Sequence, residues 1–426
     1  RLAVTAQFMV FEKKRKDISG YVFSGIDVVK CAGEHKTPFY LLSGKQIEKN
    51  YRDFIDGFPG DVKPDVYYSV KTNYESAVLE TVRAAGLGAE VGSMLDFALA
   101  EKAGFQPHAM IVDGFFKEER FLRKAVTENV RRINVETFSE LYRVNSIAAE
   151  KNNTVRVGLR VDLNRILGDW RNVITDRKQK SFGLRRTAIL NRIDDVRNTP
   201  YVRVESLMTH TSKSFTTPRD YAFMLRQLFR LAFRLSQQGI SVSELNLGGG
   251  IPDESFSPYG PADFAKTIMK TYSICSKKFN MKPRLAFELG KRIVNNAGIL
   301  VGRVLEARNG MVITDISRSD FGFTFPFRKR SVVIANKHSR KPVSRMKICS
   351  GTLEKYDIIE NSIRLPSVQR GDIIVLTHVG AYALPLSTQF NKTRAAVYFI
   401  SSQGKIRCIR PEETPEDIIK QRRWNA

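Results

Sequence analysis

The stretch Tyr67-Tyr68-Ser69-Val70-Lys71-Thr72-Asn73 decides the fold: a short apolar strand, Tyr67–Val70, runs into a single lysine, and a helical pattern begins at Ala77. A strand that ends in an amine just before a helix is the first half of a strand–helix unit. Working outward, the unit recurs. Strands are expected at Ala89–Val91, Met110–Val112, Ile133–Val135, Val155–Val161, Val202–Met208, Leu245–Leu247 and Leu285–Phe287. Amphipathic stretches lie between them at Ala77–Ala85, Asp96–Ala103, Arg120–Val126, Leu141–Ala149, Tyr221–Leu235 and Phe264–Cys275.

Strand alternating with helix eight times is the sequence form of an α/β (β/α)8 TIM-like barrel. In such a barrel the carboxyl ends of the strands share one mouth. Lys71, Glu90, Arg160, His210, Gly248-Gly249-Gly250 and Glu288 all stand at or just beyond an expected strand end. The barrel uses little more than half of the 426 residues, so a second domain is required. After Ala297 the pattern turns to β-rich pieces: Ile299–Leu305, Met311–Asp315, Val332–Ala335, Ile373–Thr377 and Ala395–Ile400. This predicts an all-β C-terminal domain over 296–426 and a barrel over 43–295. Strand-like residues in 1–42, notably Gln7–Phe11 and Gly20–Phe23, are expected to complete the β-domain.

The chain carries 69 Lys and Arg against 44 Asp and Glu, a net charge of +25. These charges are dispersed, with small clusters at Lys13-Lys14-Arg15-Lys16 and Arg328-Lys329-Arg330, and neither zinc spacing nor an aromatic-basic RNA motif accompanies them. Nucleic acid is therefore not an expected partner. No apolar run reaches the roughly eighteen residues of a membrane span, and Arg1-Leu2-Ala3-Val4 does not open a secretory signal. The four cysteines (Cys31, Cys275, Cys349, Cys408) have no paired spacing, which fits reduced thiols and gives no metal signature. A cytoplasmic protein without a membrane partner is the expectation.

The ordered motifs YYSVKTN, GAEVGSMLDFALAEKAG, VGLRVDL, KSFG, the strand ending in His210, LNLGGGIP, FELGKRIVNNAG, LPSVQRGDII and VGAYALPLSTQFN resemble the fold-type III pyridoxal-phosphate decarboxylases. That group includes ornithine, arginine and diaminopimelate decarboxylases. The resemblance spans roughly Ile18 to Ile400 and implies an alanine-racemase-like barrel, pyridoxal 5'-phosphate and a carboxy-lyase. Lys71 would condense with the cofactor aldehyde, its amine partly desolvated and lowered in pKa. Glu288 would pair with the pyridine nitrogen and His210 would stack on the ring. Gly248, Gly249, Gly250, Gly290, Ser212 and Tyr382 would surround the phosphate, and Glu90 and Arg160 match polar positions near the cofactor. The chain departs from the family pattern at Leu289 and Lys291, and at Thr211-Ser212-Lys213-Ser214 after the histidine.

The resemblance also implies a homodimer with shared sites, in which a β-domain cysteine of the neighbour helps protonate the product carbon. Counting back from Asp357-Ile358-Ile359 reaches Leu353 at that position. A leucine donates no proton, so Cys349 or another acid must serve, and Glu354 matches a substrate-contacting position. Phe325-Pro326-Phe327-Arg328-Lys329-Arg330 lies where diamine enzymes usually place a carboxylate. Cations there, Arg328 and Arg330 among them, favour an anionic or conjugated amino acid, such as a citryl-diamino acid of siderophore assembly or an aminoacyl group on an acidic carrier protein. The alternatives are an ornithine, lysine or diaminopimelate decarboxylase of primary metabolism, a racemase on the same barrel, and an inactive homologue that binds a partner.

Overall fold

The computed structural model describes residues 20–163, 182–210, 216–255, 257–322 and 332–422. A small hairpin, β1 (Val22–Phe23) and β2 (Ile26–Asp27), comes first, followed by β3 (Phe39–Ser43). Then come the eight barrel strands: β4 (Asp65–Ser69), β5 (Gly88–Val91), β6 (Met110–Val112), β7 (Arg132–Val135), β8 (Val155–Arg160), β9 (Val202–Met208), β10 (Glu244–Asn246) and β11 (Arg284–Leu289). They pair in parallel in chain order, and β11 returns to β4, closing the barrel. Each expected barrel strand overlaps one of these. The short strands are nearly continuous apolar runs because both of their faces are covered; every residue of β6 and β7 is buried.

The helices between them start where sequence chemistry allows. Ser93 Oγ accepts the Asp96 N–H and Thr137 Oγ1 accepts the Glu140 N–H, each a side-chain N-cap. Thr217 and Asp220 form a reciprocal capping box, with Pro218 at the first helical position. That helix, Pro218–Ser236, packs Tyr221, Leu225, Leu228 and Phe229 into the main core, where Tyr221 meets Phe264 of the helix Pro261–Phe279 edge to face at 5.5 Å.

The second domain is a nine-stranded sheet built on β12 (Gly298–Arg308), with β13 (Met311–Thr314), β14 (Val332–Ile334), β15 (Ser344–Ser350), β16 (Ile358–Leu365), β17 (Ile373–Thr377), β18 (Ala396–Ile400) and β19 (Ile406–Arg410). Its N-terminal member is β3, which sits between β12 and β18. The strand expected at Gly20–Phe23 is not a strand of that sheet: among the described residues Val22–Phe23 pairs only with Ile26–Asp27, across a turn at Ser24 and Gly25, both at positive φ, while the Tyr21 N–H donates to the Ala335 carbonyl beside β14 at 3.0 Å. Gln7–Phe11 lies outside the described residues. Among those residues no helix is long and apolar enough to cross a membrane.

Candidate active site

β4 lies between β5 and β11, with Ser69 beside Glu90 and Tyr67 beside Glu288. Beyond Ser69 the chain tightens into a 3-10 turn, Val70–Thr72, that buries Val70 and Thr72 and turns Lys71 outward. The lysine side chain is 52% exposed while Glu90 is 1% exposed, and the ammonium donates to both Glu90 oxygens at 2.7 and 2.6 Å. Burial of the amine opposes its charge, but the Glu90 carboxylate outweighs it and raises the Lys71 pKa above the ordinary lysine value. This corrects the expected lowered pKa: the buried acid one strand away controls the amine more than its partial desolvation does.

Glu288 is buried at the end of β11, where Oε1 accepts from Asn134 Nδ2 at 3.3 Å and Asn246 Nδ2 at 2.8 Å. Burial, reinforced by Asp113 and Glu90, pushes its carboxyl well above the usual range. Arg160, buried at the end of β8, donates from Nη1 to Glu136 Oε1 at 2.6 Å and to Asp113 Oδ1 at 3.5 Å. Its guanidinium carbon lies 4.6 Å from the centre of the Phe182 ring. Burial works against the charge on Asp113, but Arg160, Lys117 and Lys71 hold its pKa below the ordinary value. Glu136 is pushed up by burial, with Asp113 adding to the effect.

His210 follows β9. Its Nδ1 accepts the Gly249 N–H at 3.0 Å, so the ring proton of the neutral form sits on Nε2. Burial, with Arg160 and Lys71 nearby, pulls its pKa down to about 3, and the ring is neutral at physiological pH. The glycine run does more packing than expected. Gly248 donates to Asn246 Oδ1 at 2.9 Å and Gly249 to His210, so the two buried N–H groups hold the loop against its neighbours. Gly250 is exposed. Gly248 has φ +63, and a Cβ on Gly249 would strike the Glu288 carbonyl, so both positions need glycine. A Cβ on Gly290 would likewise strike Thr72 Oγ1; that glycine lets β11 approach the Lys71 turn.

From the β-domain, the Tyr382 N–H donates to the Thr72 carbonyl at 2.7 Å, and Asn73 Nδ2 donates to the Gly380 carbonyl at 2.8 Å. Tyr382 therefore joins the mouth of its own chain. Cys349 does not: it is half-buried inside β15, opposite Ile313 and Ile358, with its thiol pKa raised by burial. Glu354 sits on the turn between β15 and β16, beside Leu353 at 88% exposure and Tyr356 at 68%. Ser212, Arg328 and Arg330 lie outside the described residues. The sequence reading missed Asp113, Asn134, Glu136 and Asn246, although each stands within or one residue beyond a barrel strand's carboxyl end, the position that singled out Glu90.

The donor set fits pyridoxal phosphate. It offers one accessible amine, a buried carboxyl on the neighbouring strand, a neutral imidazole, and a glycine turn. Glu136 Oε2, on the carboxylate that holds Arg160, is buried without a hydrogen-bond partner among the described residues, as befits a mouth shaped for a polar occupant. The family described as "Pyridoxal-dependent decarboxylase, pyridoxal binding domain" matches residues 44–295. Diaminopimelate decarboxylase of Archaeoglobus fulgidus is 24% identical over 407 residues, covering 94% of this chain and 96% of that protein. The solved structure of diaminopimelate decarboxylase from M. jannaschii with L-lysine superposes with a TM-score of 0.87 at 24% identity, over 96% of this chain and 97% of that one. Lysine/ornithine decarboxylase from Vibrio vulnificus, with putrescine, gives 0.74 at 20% identity, over 88% and 97%. With a family match across more than half of its length, this chain belongs to the pyridoxal-dependent decarboxylases.

Proposed function

We propose that this carboxy-lyase removes the α-carboxyl group of a diamino acid of primary metabolism, with diaminopimelate the first substrate to test. Diaminopimelate decarboxylases that align with over nine-tenths of the chain support this reading. The citryl-conjugate and carrier-protein readings rested on Arg328 and Arg330, which lie outside the described residues. The observation that carries the carboxy-lyase chemistry is the placement of Lys71 between the strands bearing Glu90 and Glu288.

Pyridoxal phosphate, when bound, supplies an aldehyde that captures the substrate amine and a protonated pyridine ring that takes up the electron pair left by carbon dioxide. The protein's residues do the rest. Lys71 Nζ is the amine that exchanges with substrate, and Glu90 holds its proton until needed. Glu288 Oε1 is occupied by two amide donors, which leaves Oε2 to carry the proton that a pyridine nitrogen would take. Neutral His210 offers a flat, uncharged face beside it.

Leu353 and Tyr356, exposed at the β15–β16 turn, support a homodimer in which Glu354 reaches the partner's mouth, near the product carbon. Cys349, inside β15, is the weaker candidate for the acid. The test is carbon dioxide release from meso-diaminopimelate, lysine, ornithine and citryl-ornithine. Fastest turnover is expected on diaminopimelate; a citryl conjugate turning over faster would overturn the assignment.

A further inference from the structure

Two barrel loops are tied together beneath the site by a buried ion pair that the proposed chemistry does not use. Lys117, in the loop after β6, is 0% exposed, and its ammonium donates to the Gly114 carbonyl at 3.0 Å and to both Glu140 oxygens at 3.1 and 3.0 Å. Glu140, in the first turn of the helix Phe138–Glu150 after β7, is 3% exposed and also accepts the Glu136 N–H at 2.8 Å. A longer contact of 4.0 Å from Arg143 completes its surroundings. The tethered backbone is not arbitrary. Gly114 follows Asp113, and Asp113 and Glu136 are the two carboxylates that hold Arg160. Gly114 itself has φ +126, a conformation open to glycine and strained for a residue with a side chain.

Burying both charges gains little stability over a well-packed apolar pair, because desolvation offsets the attraction. What the pair supplies is distance: Lys117 and Glu140 together link the carbonyl of Gly114, the residue after Asp113, to the backbone N–H of Glu136. We propose that Lys117 and Glu140 are positioning residues that fix Asp113 relative to Glu136 and so set the orientation of Arg160 toward bound pyridoxal phosphate. The proposal rests on Arg160 being a cofactor-contacting residue.

The test is titration of the cofactor-stripped protein with pyridoxal phosphate, followed by visible absorbance and circular dichroism, for the parent and for Lys117→Met/Glu140→Leu, each with and without Arg160→Ala. The double substitution removes both charges together, so no lone charge stays buried; the Glu136 N–H and the Gly114 carbonyl lose these partners, so its melting temperature should fall only modestly. Its affinity for pyridoxal phosphate should fall about tenfold, the scale on which supporting residues act on a bound group. That loss should shrink to within about twofold once Arg160 is alanine, because coupled residues are not additive. Parental affinity in a folded double variant, or an equal loss in both Arg160 backgrounds, overturns the proposal. An Arg160→Ala protein that binds the cofactor like the parent instead overturns the reading of Arg160, and the proposal with it. Should Lys117→Met/Glu140→Leu not fold, Lys117→Arg, which keeps the charge but displaces the Gly114 contact, undergoes the same cycle with the same criteria.

Discussion

Replacing Glu90 with glutamine should free the amine of Lys71. Two carboxylate oxygens at 2.6 and 2.7 Å stabilise the ammonium, and an opposite charge this close moves a pKa by about 1–3 units. With the lysine side chain 52% exposed, water screens the pair, so the lower end, about one unit, is expected. The sign is fixed by the two opposing effects: burial already favours neutral Lys71, and Glu90 is what overrides it. Removing the carboxylate leaves burial in control and increases the neutral fraction about tenfold at any pH well below the pKa.

The assay is competitive acylation of cofactor-stripped protein with trace acetic anhydride at about pH 8, below the ordinary lysine range, with Lys71 and the exposed Lys30 quantified by peptide mapping. The Lys71-to-Lys30 labelling ratio should rise about tenfold in Glu90→Gln. An unchanged or lower ratio would refute the argument that Glu90 governs this amine. Stability follows the same linkage. A raised lysine pKa contributes stability that is complete below the unfolded value of about 10.4 and is lost as the pH climbs through the folded value. The variant should therefore lose at most about 1 kcal/mol near neutrality, and the gap from the parent should narrow only in the alkaline range.

Glu288→Gln keeps an acceptor for Asn134 and Asn246 but cannot exchange a proton, so kcat for carbon dioxide release should drop by about 10²-fold or more with little change in melting temperature. Arg132→Met should be costly for folding, because Arg132 and Glu244 form a fully buried ion pair in the barrel. Urea denaturation should show a loss toward the lower end of about 3–5 kcal/mol, since Arg284 and Ser206 also reach Glu244. In the proposed shared-site dimer, Lys71→Ala and Glu354→Ala are each expected to be nearly inactive alone. Mixed and re-associated in equal amounts, they should regain about a quarter of parental turnover, because half of the dimers then hold one intact site; no recovery would mean that Glu354 serves its own chain.

Much of the barrel was legible because each strand is a short, doubly covered apolar run set between helical periods, and closure then placed every strand's carboxyl end in one mouth. Lys71, Glu90, Arg160, His210 and Glu288 could be found by that rule alone. Asp113 and Glu136 obey it too, but in sequence they resemble ordinary helix-start acids, and only the structure brings both onto Arg160. The β-domain was harder to read. β15 and β16 carry exposed polar and charged residues (SRMKICS, IIENSIRL) and show neither clean alternation nor an apolar run. Phe39–Ser43, buried at every position, could equally have been a helix segment. The Lys71 pKa was misjudged because partial desolvation is visible in a strand end, whereas the distance to an acid on the next strand is not.

The placement of β3 constrains how the polypeptide is made. Phe39 aligns in parallel with Ala396 on one side and antiparallel with Val301 on the other, so a central rib of the sheet emerges from the ribosome before the barrel and waits for a neighbour translated long after it. Until β18 arrives, that rib exposes an unsatisfied edge of five apolar and small residues, a natural client for chaperones and a point where nascent chains would aggregate. A barrel fragment made without the sheet would carry this edge with neither neighbour beside it, so the two domains are expected to fold best from one chain even though their folds look modular.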